Sequence, residues 1–259
     1  MGKKRTAPGL LALKGKERVV CLTAYDVMSA EMADAAGVDL VLVGDSLGNV
    51  ILGHGTTLPV ELEDVGYHVR AVKRGLSDAL LIADLPFGSY QCSTEQAVES
   101  AVYLMKCGAE GVKLEGDYPE AIEACVKAGI PMMGHVGFTP QSVNGFGGFK
   151  VQGRDDGEEI LGVSQRLAEA GAFGVVLEMM TATLSQKITQ SVDCLTIGIG
   201  GGLHCDGEIQ VWHDVLGLSA KQYKHAKAFV AGRELFTDAI GRYAGDVREG
   251  KFPGEENSF

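Results

Sequence analysis

Positive charge is scarce in this sequence: 23 Lys and Arg stand against 34 Asp and Glu, for a formal net charge of −11. Nucleic acid and anionic bilayers are met by a basic face, so neither is expected as a partner. An anionic small molecule would have to be met locally, by a lysine, backbone N–H groups or a bound cation. There is no apolar run of membrane-spanning length and no signal-peptide pattern, which points to a cytoplasmic protein. The start, Met1-Gly2-Lys3-Lys4-Arg5-Thr6, matches the loose N-myristoylation pattern. Without a second membrane signal it reads as a basic, frayed tail. The six cysteines, at 21, 92, 107, 125, 194 and 205, include no C-x-x-C and no zinc spacing. They read as reduced thiols acting as small core residues, and His204-Cys205 reads as a loop pair rather than half a metal site. No Pro/Ser-rich or low-complexity stretch divides the chain, so residues 1–259 are expected to form one domain.

What is present is a repeated unit. In DAAGVDLVLVGD (34–45), KCGAEGVKLEG (106–116), KAGIPMMGHVG (127–137) and EAGAFGVVLEM (169–179), a helical pattern ends in glycine and a short apolar run follows. Gly37, Gly108, Gly129 and Gly171 sit where a helix C-cap favours positive φ. With less regular units added, eight strands are predicted: 19–25, 39–45, 79–84, 111–115, 131–136, 174–178, 194–199 and 209–214. Helical patterns lie between most of them, including 60–75 and 93–108, the latter with Ser93 or Thr94 as N-cap. Such alternation implies a parallel sheet. Eight units in about 250 residues is the size of a (β/α)8 TIM barrel. An open doubly wound sheet is the alternative, but no strand leads into G-x-G-x-x-G or a P-loop.

Polar residues gather at the strand ends: Tyr25-Asp26, Asp45-Ser46, Asp84, Lys113 and Glu115, His135, Glu178, and His213-Asp214. Barrel enzymes build their sites at the C-terminal ends of the strands. Lys113 and Glu115 are two residues apart and so face the same way, inward. A lone strand-end aspartate is usually a cap; for Asp26 that role and one supporting the site from behind are equally open, and His54 and His68 read as structural or exposed. Asp45, Asp84 and Glu115 differ, because they come from three consecutive strands and would lie side by side. Three adjacent carboxylates repel one another unless a cation sits among them. All-oxygen ligation suits Mg²⁺, with Mn²⁺ as substitute, and a 2-oxo acid offers two oxygens for its open positions. GIGGG (198–202) is either a phosphate loop or a turn that lets substrate approach the backbone. The long segment 135–154 carries Phe138, Val143, Phe146 and Phe149, which suit a lid or binding loop with packing of its own.

These residues are recognisable as a set. The chain resembles the ketopantoate hydroxymethyltransferase family through LTAYD (22–26), VGDSLGNVILGH (43–54), TLPVELEDVGYH (57–68), IADLPFGSY (82–90), VKLEG (112–116), GHVGFTPQSVN (134–144), GFKVQGR (148–154), VLEM (176–179), IGIGGG (197–202), CDGEIQVWHD (205–214) and FPGEENSF (252–259). The resemblance implies a (β/α)8 barrel with a short N-terminal helix, for which residues 7–14 are the candidate. It implies transfer of a one-carbon unit from 5,10-methylenetetrahydrofolate to 3-methyl-2-oxobutanoate, giving 2-dehydropantoate on the route to pantothenate. It places one Mg²⁺ per subunit on Asp45, Asp84 and Glu115, substrate contacts on Asp45, Ser46, Asp84 and Lys113, and the proton acceptor on Glu178. His135 would orient a water, the substrate or Glu178. In this scheme a Mg²⁺-stabilised enolate attacks the folate methylene group while the 135–154 loop keeps water away. A homodecamer is implied as well. Glu208 and Asn257 stand where the family pattern suggests Gln and His. Two competing readings share the fold: a Mg²⁺-dependent lyase or mutase of the isocitrate lyase and phosphoenolpyruvate mutase group, and a metabolite-binding barrel without catalysis.

Overall fold

The computed structural model describes residues 4–259. Eight parallel strands close into a barrel in sequence order: β1 (Val19–Thr23), β2 (Leu40–Val43), β3 (Leu80–Asp84), β4 (Gly111–Lys113), β5 (Met132–Gly137), β6 (Gly174–Glu178), β7 (Leu195–Ile199) and β8 (Gly207–Gln210). The helices are α1 (Ala7–Leu11), α2 (Val27–Ala35), α3 (Leu47–Val50), α4 (Leu62–Gly75), α5 (Thr94–Cys107), α6 (Pro119–Lys127), α7 (Val143–Phe146), α8 (Gly157–Glu169), α9 (Ala182–Ser191), α10 (Trp212–Val215) and α11 (Gly232–Arg248). By internal contacts the chain forms two compact units, Met1–Val211, which holds the barrel, and Trp212–Phe259.

Local chemistry sets the element boundaries. Asp26 caps α2 by accepting from Ser29 N at 2.7 Å, and Ser93 caps α5 by accepting from Gln96 N, as its side-chain oxygen should at an N-cap. Gly37, Gly108, Gly129 and Gly171 all have positive φ, which lets the chain turn out of each helix at no Cβ cost. Inside the barrel, alternate residues of every strand but β4 point inward and form one core. Val19, Cys21, Leu40, Leu42, Leu80, Ile82, Met133, Val176, Leu195, Ile197 and Ile209 all belong to it. The same alternation carries the next inward positions to the C-terminal rim.

The opposite rim is closed by the N-terminal segment. Thr6 caps α1, and Leu10 is fully buried in the barrel core. Lys4 pairs with Glu110 at 2.8 Å, Arg5 with Asp39 at 2.6 Å and Lys14 with Asp206 at 2.8 Å. The frayed-tail expectation therefore fails from Lys4 onward, because three acidic residues at the strand starts hold the segment in place. Met1, Gly2 and Lys3, on which the myristoylation pattern turns, lie outside the described residues.

The expected strand 209–214 is corrected to Gly207–Gln210, and His213 and Asp214 belong to the short helix α10 rather than to a strand end. The ladder fixes this register, since Gly207 lies opposite Val19 and Gln210 opposite Leu22. Gly207 starts the strand because it packs against the Val19 backbone, where no side chain fits. Glu208 accepts from Gln210 Nε2 at 3.0 Å, and Asn257 accepts from Gly254 N in a C-terminal turn. Both departures from the family pattern thus make local hydrogen bonds. All six cysteines are free. His204 is exposed while Cys205 is buried, so the two do not face a common site. No described helix is long and apolar enough to cross a membrane.

Candidate active site

At the C-terminal rim of the barrel a charged cluster is sealed from solvent. Asp45, Asp84, Lys113, Glu115 and His135 are each at most 4% exposed. Asp45 follows β2, Asp84 ends β3, Lys113 ends β4, and Glu115 lies two residues further on the same face. Unpaired charges do not survive such burial, and the pairings are close. Lys113 Nζ lies 2.7 Å from Asp84 Oδ1 and 3.9 Å from Glu115 Oε1. Asp84 Oδ2 accepts from Asp45 N at 3.0 Å. His135 Nδ1 lies 3.3 Å from both Glu115 Oε1 and Lys113 Nζ. Its Nε2 lies 3.3 Å from Glu178 Oε2, off the alignment of a hydrogen bond.

Glu178 is held at the rim by its own backbone. Its carbonyl accepts from Phe138 N at 2.9 Å. The next residue, Met179, has φ of 45°, the left-handed region that a side chain seldom occupies. Ser46 sits beside the cluster with its hydroxyl 2.9 Å from Tyr25 Oη. His68, expected to be structural, contacts the Tyr25 carbonyl through Nδ1 at 2.5 Å.

The electrostatics follow from burial and neighbours. Burial, then the charges of Glu115 and Asp84, push the Asp45 carboxyl well above the usual carboxylate range. Burial pushes Asp84 up as well, against the pull of Lys113. Glu115 goes the other way: burial would raise it, but His135 and Lys113 hold it below its ordinary value. Burial and Lys113 would lower His135, yet Glu115 and Glu178 outweigh them and bring it up to about 9. For Lys113 burial is outweighed by Asp84, Glu115 and Asp45, and its pKa rises. Crowded carboxylates thus raise one another while they favour the charged forms of Lys113 and His135.

The donor set is all oxygen and fits a hard divalent cation. Asp84 Oδ1 has no aligned hydrogen-bond donor, although Lys113 Nζ is near it. Among the described residues no group of three His, Cys, Asp or Glu side chains is arranged to hold one metal ion. Lys113, His135 and Gln141 instead take up carboxylate oxygens. Mg²⁺ commonly needs only one or two carboxylates and keeps its waters, and the neighbouring Asp45 and Asp84 offer such a pair.

Sequence reasoning missed Gln141. It lies in the 3-10 turn Pro140–Ser142, within the long segment singled out by length. Its Nε2 donates to Asp45 Oδ2 at 2.9 Å and its backbone N to Glu115 Oε2 at 3.0 Å. Beyond it Phe138 packs against Phe146 and Phe149, with ring centroids 5.6 and 5.0 Å apart. The segment therefore has the apolar packing its composition implied. In GIGGG, a Cβ on Gly201 would meet Ser185 Oγ at 2.9 Å and one on Gly202 would meet Ala182 Cβ at 2.7 Å. Close packing against α9 accounts for these two glycines.

A closed parallel barrel with buried carboxylates, a lysine and a histidine at its C-terminal rim defines a class, the TIM-barrel enzymes, whose sites lie at that face. Solved structures of similar fold include phosphonopyruvate hydrolase in complex with oxalate and Mg²⁺ (TM-score 0.63, 14% identity, 97% of this chain and 93% of that one). Another is phosphoenolpyruvate phosphomutase from Streptomyces platensis (TM-score 0.65, 12% identity, 95% and 88%). At such identities the likeness concerns the fold alone. Sequence is more specific. The profile of the ketopantoate hydroxymethyltransferase family matches residues 4–255, and the chain belongs to that family. A relative from Aeropyrum pernix, 3-methyl-2-oxobutanoate hydroxymethyltransferase, is 48% identical over 99% of this chain and 95% of its own length. One of the same name from Thermotoga maritima is 47% identical over 96% and 94%. The lyase or mutase reading, which shared the carboxylate and Mg²⁺ logic, gives way to this match.

Proposed function

We propose that the chain transfers a hydroxymethyl group from 5,10-methylenetetrahydrofolate to 3-methyl-2-oxobutanoate, giving 2-dehydropantoate for pantothenate and coenzyme A synthesis. The observation that carries this reading is the buried Asp45–Asp84–Lys113–Glu115–His135 cluster in a chain of this family.

Asp45 and Asp84, with Glu115 beside them, would hold a Mg²⁺ ion, for which Mn²⁺ is the natural substitute. When bound, that ion supplies Lewis-acid polarisation of a keto oxygen. The chain's own residues do the rest. Lys113 places a fixed positive charge where an enolate oxygen develops. Ser46 offers a hydroxyl to the substrate carboxylate. Glu178, at the rim and half-buried, takes the C3 proton as general base. His135 touches Glu178 on one side and Glu115 on the other, and so sets the position and charge environment of the base. The C3 carbon then forms its new bond to the one-carbon unit, whose two bonds to folate nitrogens break, and those nitrogens take up the C3 proton and one proton of water. The folate methylene carries no oxygen, so one water must supply the product hydroxyl. The 138–154 segment therefore has to admit that water while excluding bulk solvent. The enzyme is further proposed to work as a homo-oligomer, a decamer by family resemblance, in the cytoplasm. Exposed Leu235, Phe236, Ile240 and Tyr243 on α11 support assembly.

The test is exchange of the C3 proton of 3-methyl-2-oxobutanoate in D₂O, with Mg²⁺ present and folate absent. Wild type should exchange it, Asp84→Ala should not, and Glu178→Ala should be slowed at least about 100-fold, the usual contribution of a general base. Wild-type exchange in Glu178→Ala would remove that residue from the role of base.

A further inference from the structure

Gln141 uses its whole hydrogen-bonding capacity inside the site. Its Oε1 accepts from Tyr90 Oη at 2.7 Å and from Gln91 Nε2 at 3.2 Å. Its Nε2 donates to Asp45 Oδ2 at 2.9 Å and to the Leu85 carbonyl at 3.0 Å. Its backbone N donates to Glu115 Oε2 at 3.0 Å. Two donors face one end of the amide and two acceptors face the other, so its orientation is fixed. Tyr90 is itself buried and accepts from Glu115 N at 3.1 Å, which ties the same network to the backbone after β4.

We propose that Gln141 is a positioning residue: it reaches in from the 138–154 segment and sets two of the rim carboxylates, Asp45 and Glu115, so that their arrangement depends on the seating of that segment. This rests on the proposed function in treating Asp45 and Glu115 as working groups, and goes beyond it in assigning what places them. A neutral amide suits the task. It gives an N–H to Asp45 without adding charge, and presents an acceptor to Tyr90 and Gln91, while the backbone N–H of the same residue serves Glu115. A glutamate of the same shape would add a further carboxylate and turn an oxygen toward Asp45 and Leu85. A lysine would have no acceptor for Tyr90. A fully satisfied buried network of this kind rigidifies what it joins. It also makes the coupling reciprocal, since the carboxylates hold the segment as much as the segment holds them.

The variants are Gln141→Met, which keeps the length and removes the polar head, and Gln141→Glu. Three measurements apply to each: amide hydrogen exchange across residues 142–148, Mn²⁺ titration of the protein followed by electron paramagnetic resonance, and KM and kcat for 3-methyl-2-oxobutanoate. Losing a hydrogen bond to a charged group is worth about tenfold in an equilibrium. Gln141→Met is therefore expected to exchange its 142–148 amides about tenfold faster, to bind Mn²⁺ about tenfold more weakly and to lose kcat more than it raises KM. Gln141→Glu should exceed it in the last two. Wild-type exchange across 142–148 in Gln141→Met overturns the proposal, for then the Phe138–Phe146–Phe149 packing alone seats the segment. The metal reading fails separately, if Asp84→Asn binds Mn²⁺ as wild type does; the exchange result still judges Gln141. If Gln141→Met does not fold, Tyr90→Phe removes only the hydroxyl that aims the amide. That hydroxyl also meets the Glu115 backbone, so the readout is the exchange across 142–148, expected to speed up; unchanged exchange would overturn the proposal equally.

Discussion

The backbone of Gly137 lies directly against the carbonyl of Glu178, with no room for a side chain between them. Gly137 has φ of 90°, and a Cβ there would also meet Met180 Cε at 2.7 Å. Gly137→Ala must therefore push back the end of β6 that carries the proposed base. Backbone strain and overpacking together should cost about 2–4 kcal/mol. The transfer rate should fall further than the loss of folded protein explains. Thermal melts and kcat measured on the same preparation check this.

Burial and the charges of Glu115 and Asp84 raise the Asp45 carboxyl well above the usual carboxylate range. A carboxyl raised in this way penalises the folded state while charged, so removing the charge should stabilise the metal-free protein. Asp45→Asn is expected to melt higher in EDTA, by about 2–4 °C for each kcal/mol in a chain of this size. Mg²⁺ should raise the midpoint of wild type and not of the variant, and transfer should be lost. Equal Mg²⁺ stabilisation of both would show that Asp45 does not help hold the ion.

Leu10 closes the rim opposite the chemistry. It is fully buried among core residues of the barrel, so Leu10→Ala leaves a cavity costing about 2–5 kcal/mol. Denaturant midpoints should show that loss, while kcat of the remaining folded enzyme stays within about twofold because additivity holds for distant sites.

Glu110 supplies a pH signature away from the site. Burial would raise its carboxyl, but Lys4, the Leu81 N–H and Lys73 outweigh burial and hold it below its ordinary value of 4.5. A depressed carboxyl contributes stability that is present above the unfolded pKa and is lost as pH falls through the folded one. Glu110→Gln should therefore lower the midpoint at pH 7, with the gap closing as pH drops below 4.5. A gap that stays constant down to strongly acid pH would show that the ion pairs contribute nothing.

Much of this was legible in the sequence because it is local or periodic. Glycine-ended helices followed by short apolar runs announce the strand–helix units, and inward alternation brings Lys113 beside Glu115. The same logic places Asp84 on the rim, and Asp45 is read from its position just after the apolar run of β2. Three things were not legible, each because a distant partner decides it. Lys4, Arg5 and Lys14 look like loose basic residues until Glu110, Asp39 and Asp206 are brought to them. The start of β8 depends on Gly207 meeting Val19, whereas the apolar Val211-Trp212 invited a later strand. Gln141 belongs to no periodic pattern, and the only hint of it was the length of the segment it sits in.

The stopper at one rim and the reactive groups at the other share no side chain. Heat tolerance and acceptor preference should therefore be separable traits in this scaffold. Laboratory selection for a hardier protein can work around Leu10, Lys14 and Asp206, while libraries aimed at bulkier keto acids vary the far end, and gains from the two campaigns should combine.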